Sequence, residues 1–173
     1  IPFYFRSPTI KTMSIPSTLT TIVDRSFSCP NLERYIMPNG NPLFDIRNNS
    51  IVETATNRLI AGAILSSKIH ESVTTIGKEA FYESCIASVD LHAGITTIED
   101  YAFDYSDITQ IICRATTPPT LGESPFRLTN YSGRMKVPEE SISLYRSSWF
   151  LTDVGYLGWT NYRWGLVALA EGE

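Results

Sequence analysis

The sequence predicts a solenoid, mostly β, built of short parallel strands in stacked coils of about 22 residues, with an inserted β-hairpin and a small helical and aromatic C-terminal cap. Three observations carry this. The chain holds 18 Ser, 18 Thr and 18 Ile among 173 residues, a β-branched, polar-ladder composition unlike that of a helix bundle. A Thr-Thr-Ile tripeptide recurs at 20–22, 74–76 and 96–98. The phenylalanines keep step with it: Phe81 to Phe103 is 22 residues and Phe103 to Phe126 is 23. Phe27 to Phe81 is 54, two units of 22 plus an insertion of 10. One such coil has no way to bury its own apolar residues, whereas a stack buries them in one continuous core.

The elements follow in order. Residues 1–9 form an N-terminal edge, and 10–31 the first repeat, with Met13-Ser-Ile15, Leu19-Thr-Thr-Ile22 and Ser26-Phe27. Repeat 2 spans 32–63 and opens Leu32-Glu-Arg-Tyr35-Ile-Met37. Its second half carries the insertion. Pro38, Asn39-Gly40, Asn41-Pro42 and Asn48-Asn49 are turn signals. Ile51–Thr54 and Arg58–Ala61 then flank a short turn, so 38–62 reads as a β-hairpin projecting from the second coil. Repeats 3, 4 and 5 occupy 64–85, 86–107 and 108–130.

The alternation in Val89-Asp-Leu91 and Ile111-Ile-Cys113 marks strands with inward apolar ends, expected in a parallel sheet at about 4.8 Å spacing. Ile22, Ile76 and Ile98 are expected to point inward, with the Thr pairs in ladders and the Phe column filling the far side. In the cap, 131–173, Arg134–Val137 is strand-like and Pro138–Arg146 reads as a short helix presenting Ile142 and Tyr145 to the last coil. Trp149, Phe150, Trp159, Tyr162 and Trp164 are expected to cover the open end of the core.

With the repeat laid out, the chain resembles the BspA-like leucine-rich repeat family. The residues that carry the resemblance are Ser14-Ile15-Pro16 with Leu19-Thr-Thr-Ile22, Ser72-Val-Thr-Thr-Ile-Gly77 with Glu79-Ala-Phe81, and Ile95-Thr-Thr-Ile98 with Tyr101-Ala-Phe103. The match covers about 10–150. It departs from the family pattern where Pro is kept at Pro16 but replaced by His70, His92 and Arg114. The resemblance implies a leucine-rich repeat solenoid from a bacterial surface or secreted protein, used as a binding scaffold in adhesion and in contact with host or matrix. It implies no catalytic residues.

The residues themselves say less about function. A net charge of −4 argues against a nucleic-acid footprint, and no apolar run is long enough to span a membrane. The chain begins Ile-Pro-Phe without Met and reads as a trimmed or mature fragment, while an extracellular or cell-surface location is what the resemblance implies. GxSxG, HExxH, P-loop and GxGxxG patterns are missing, and no catalytic residue or cofactor is expected. Cys29, Cys85 and Cys113 lack metal-site spacing and read as small buried hydrophobes.

His70 and His92 stand one repeat apart and are the weak candidates for a metal or pH-sensitive site. The plainer expectation is two exposed residues at a turn position otherwise held by Pro, with Arg114 next to them disfavouring a cation. Glu99, Asp100, Asp104 and Asp107 read as a solvated convex face, and Lys68 with Asp90 as a cross-strand ion pair.

The leading functional expectation is a non-enzymatic, monomeric module. It would bind a protein ligand, or a glycan, through the outward strand column Ser14, Ile36, Lys68, Asp90 and Ile112. The competing readings are a structural stalk or spacer of a larger surface protein and, behind it, a hydrolase.

Overall fold

A computed structural model describes residues 5–127, 133–149, 165–170 and 172. In chain order the strands are β1 (Phe5–Arg6), β2 (Thr12–Ser14), β3 (Phe27–Ser28), β4 (Arg34–Ile36), β5 (Phe44–Arg47), β6 (Ser50–Glu53) and β7 (Arg58–Gly62). They continue with β8 (Thr75–Ile76), β9 (Ser88–Leu91), β10 (Thr97–Ile98), β11 (Gln110–Cys113), β12 (Thr120–Leu121), β13 (Arg134–Val137) and β14 (Gly165–Ala168). One helix, α1 (Ile142–Trp149), follows a 3-10 turn at Glu139–Ser141.

The chain is a β-solenoid. Each turn advances the register by one 22-residue unit: Thr75 pairs with Thr97, Phe5 with Phe27, and Ser88 with Gln110. One wall is the strand column β9-β11-β13-β14, all parallel, with β2-β4 as a separate pair. The second wall is the Thr-Ile column β8-β10-β12, in which Thr75, Thr97 and Thr120 form the expected ladder. Ile76 and Ile98 point inward and are fully buried. Ile22 is only half-buried, and its tripeptide is not a strand.

The third corner is the aromatic column. The Phe81 and Phe103 rings stack at 5.0 Å with planes 4° apart, and Phe103 and Phe126 at 5.4 Å and 10°. Trp149 of α1 closes the stack 6.1 Å beyond Phe126. Tyr145 is fully buried beside it and donates its hydroxyl to the Ala115 carbonyl, while the Trp149 indole N–H donates to Pro119. These two bonds fix the cap on the last coil, as buried Tyr and Trp require a polar partner. Phe150, Trp159, Tyr162 and Trp164, expected in the same cap, lie outside the described residues.

The insertion differs from expectation. It is a three-stranded antiparallel meander, β5-β6-β7, and it does not project. β7 pairs in parallel with β8, and Gly77 N–H donates to the Leu59 carbonyl just as Glu99 N–H donates to Ile76 one coil on. So β7 takes the place that a Thr-Thr-Ile strand would hold in the second coil. The reason is in its residues. β6 and β7 read Ser-Ile-Val-Glu and Arg-Leu-Ile-Ala-Gly, apolar on both faces, as a strand buried on both sides must be. Val52 and Leu59 pack into the core of the later coils. Ile51, Ile60 and Ala61 pack into a second core with Ile15, Leu32, Tyr35 and Phe44. The meander is a wall between two cores.

Gly62 completes the substitution. Its N–H donates to the Ala80 carbonyl, the bond that Phe81 makes to Ala102 and Phe103 to Pro125. Gly62 therefore stands where the second coil's phenylalanine belongs. A Cβ there would lie 1.9 Å from Cε1 of Phe81, so the Phe81 ring fills that space. Phe27, expected in the column, is diverted to Tyr35 at 6.0 Å.

Candidate functional site

The residues expected to form a binding column all lie on the strand wall. Alternation buries Tyr35, Val89, Leu91, Ile111, Cys113, Met135 and Val137 and turns the residues between them outward. Ser14 is opposite Ile36 in one pair of strands. Lys68 is opposite Asp90, Asp90 opposite Ile112, and Ile112 opposite Lys136 in the other. The five residues read from the sequence thus fall into two groups.

The break between them has a physical cause. The β5–β6 turn, Asn48-Asn49, enters the wall between the second and third coils. The Asn48 amide donates to the Lys68 carbonyl at 3.1 Å, and the Ser66 hydroxyl donates to the Asn49 carbonyl at 2.9 Å. Asn48 and Asn49 both adopt positive φ, 46° and 60°, a conformation that Asn tolerates better than most residues. The turn leaves a cleft of about 360 Å³, lined by Asn48, Lys68, His70, Asp90, His92 and Arg114 among others.

Inside the cleft the expected Lys68–Asp90 ion pair is absent. Arg114 takes the Asp90 carboxylate with both prongs of its guanidinium, Nε to Oδ1 and Nη2 to Oδ2, each 2.8 Å. A planar fork matched to a carboxylate outcompetes a flexible ammonium at the same site. Among the described residues Lys68 has no carboxylate within 4.0 Å.

The two histidines are half-buried rather than exposed. The Nδ1 of His70 accepts from Ser72 N–H at 3.2 Å, and that of His92 from Gly94 N–H at 3.0 Å. Each imidazole therefore closes the turn that a proline shapes in the first coil. With Nδ1 accepting, a neutral His92 carries its proton on Nε2, and that nitrogen, shielded in the cleft wall, has no hydrogen-bond partner among the described residues. No group of three or more His, Cys, Asp or Glu able to hold a metal ion occurs among the described residues.

The acidic cluster is a solvated face only in part: Asp107 is exposed, Glu99 and Asp100 are half-buried, and Asp104 is buried. Asp104 is 1% exposed and paired with Arg127 at 2.8 Å. Glu99 receives both Nε and Nη2 of Arg58, and also Lys78 N–H. Asp100 accepts from Glu123 N–H. These acids were adjacent in sequence but point to different partners on neighbouring coils. Burial alone would raise the Glu99 carboxyl, yet the Arg58 guanidinium and the Lys78 N–H outweigh it and hold the group below its ordinary value.

Cys29 and Cys113 are buried as expected, but Cys85 is exposed. All three thiols are pushed up by desolvation, in Cys85 with help from Asp107, so none is an activated nucleophile.

The structure adds residues that the sequence reading passed over. Arg34 lies two residues before Ile36 on the same face, and Arg134 and Lys136 extend the column on β13. The 22-residue offset and the strand-like Arg-Met-Lys-Val run were sufficient signals for them. Nothing local to Asn48 signalled its place in the wall.

No helix among the described residues is long and apolar enough to cross a membrane. No curated protein was found to match the chain. The model of the BspA type leucine rich repeat region matches in six copies, over residues 2–63 and 61–154. Coil length, the inward Ile ladder, the stacked Phe corner and this match agree: the chain belongs to the BspA-type leucine-rich repeat family.

Proposed function

We propose that the protein is a non-enzymatic binding module of a surface or secreted protein, engaging a protein ligand of host or matrix through its strand wall. The observation that favours this is the wall itself. From β9 to β13 its outward side chains are open or half-buried, on a backbone fixed by in-register parallel pairing. A rigid, repeating surface of this kind orders little on binding and so loses little entropy.

The recognition residues are Lys68, Asp90 and Ile112, continued by Lys136, with Ser14 and Ile36 beyond the Asn48 turn. The test is affinity capture of extracellular host and matrix proteins by the wild-type chain and by a K68E/D90K/I112E variant of equal thermal stability. Ligands retained by the first and lost by the second are expected. A ligand set that both capture equally would remove the wall from consideration.

A further inference from the structure

The chain is acidic overall, with 18 Asp and Glu against 14 Lys and Arg. Its strand wall is not. The outward positions of β2, β4, β9, β11, β13 and the strand segment at Lys68 carry Arg34, Lys68, Arg134 and Lys136, against the single acid Asp90. That acid is already held by Arg114, which brings another positive charge to the rim. Of the other groups facing the cleft, Glu71 is the one remaining acid. Among the described residues, Arg34, Lys68 and Arg134 have no carboxylate within 4.0 Å. Among the described residues the excess negative charge therefore lies away from this wall, with Asp24, Glu79, Glu83, Glu99, Asp104 and Glu123 on the other sides of the coils.

We infer that this wall docks an acidic, extended peptide segment of a protein partner, its carboxylates bridging Lys68 and the Arg134–Lys136 pair. The inference rests on the binding-face reading above and gives that face its ligand chemistry.

Geometry sets the scale. Lys68 and Lys136 are three strands apart, about 14 Å at the spacing of parallel strands. About four residues of extended chain span that distance. The residues between favour a peptide over a sulfated or uronate glycan. Ile112 lies on the direct line, and Val167, 38% exposed, continues it beyond Lys136. An acidic peptide with apolar side chains covers those groups, whereas a polyanionic sugar leaves them facing charge. The cleft beside Asn48 has room for one carboxylate side chain next to Lys68, and the Nε2 of His92, without a partner among the described residues, lies in its wall.

The test uses the full chain on an array of 12-residue acidic, neutral and basic peptides, with immobilised heparin in parallel. Retention on acidic peptides is expected, weakened about tenfold or more by K68E/R134E and by a rise from low to high salt. The matched control K78E/R146E, which makes the same charge change away from the wall, is expected to leave it unchanged. K68Q/R134Q provides the comparison if the reversal unfolds the chain.

Retention on heparin but not on acidic peptides overturns the inference, as does no retention of acidic peptides at low salt. Neutral or basic peptides that bind and are lost in K68E/R134E also overturn it, while leaving the wall as the binding face. Acidic-peptide retention that responds equally to wall and control variants overturns both readings.

Discussion

The later coils and the first two are made from the same repeat but are stabilised differently. From Val73 to Phe126 the levels are alike: a Thr stacks on a Thr, an Ile or Leu follows it against the core, and a Phe ring lies on the next at about 5 Å. Before Gly62 none of this holds. Phe27 turns to Tyr35, Ile22 is half-buried, and a meander stands where a strand and a ring should be. The difference teaches that the repeat motif alone does not fix a coil. The neighbour on each side must present the same column, and one altered level changes the packing of both.

Four measurements break or sharpen this contrast. The largest effect is expected in the aromatic column. Phe103→Ala removes a fully buried ring stacked on both faces and is expected to cost about 3–5 kcal/mol in denaturant unfolding. Phe27→Ala, at a half-buried ring outside the stack, is expected to cost less than half as much. Equal losses would mean that the two halves are one packing unit.

Next comes the missing ring. Gly62→Ala places a methyl group against Phe81 and is expected to destabilise by about 1–3 kcal/mol, although Ala suits a strand better than Gly. An unchanged or raised melting temperature would show that Phe81 moves aside freely.

The third measurement concerns Arg58, which ties the meander to Asp24 of the first coil and Glu99 of the fourth. The Glu99 carboxyl is held below its ordinary value of 4.5 in the folded state. Its contribution is therefore complete above about pH 4.5 and is lost as pH falls through the lower folded value. Glu99→Gln is expected to flatten the fall in melting temperature below pH 4.5 and to cost about 1 kcal/mol at pH 7. A parallel acid profile for both proteins would show that the pair contributes nothing.

The smallest effect belongs to the wall. Lys68→Ala is expected to change stability by less than about 0.5 kcal/mol, because the side chain is exposed and has no carboxylate partner among the described residues. A larger loss in thermal unfolding would show the wall's charges to be structural.

The regular half was legible because its information is periodic. Ile76, Ile98, Phe81 and Phe103 each repeat at a spacing that only stacking explains, and the parallel register follows from it. The partition was not legible. The strand period of Ile51–Thr54 and Arg58–Ala61 identifies a hairpin, but whether that hairpin leaves the coil or replaces part of it depends on which residues meet it across 20 or more positions. The meaning of Gly62 lies in Phe81, which fills its missing side chain.

The placement of the outward strand column was legible to the extent that it repeats. Its interruption by Asn48 and the switch of Asp90 from Lys68 to Arg114 were not, since both depend on reach and shape. The basic character of the wall was hidden by averaging, because whole-chain charge hides a face whose sign opposes the total.

Equivalent levels carry a hazard of their own. Three like rings and three like strands, two Thr-Ile and one Thr-Leu, would stack almost as well if the chain slid along itself by one whole coil, and every local contact would look native. Gly62 and the meander before it remove that degeneracy. Among the described residues, the second coil is the one with a glycine at the ring position, and the Phe81 ring fills that space. A folding chain thus carries an index mark about a third of the way along, from which the later coils are counted.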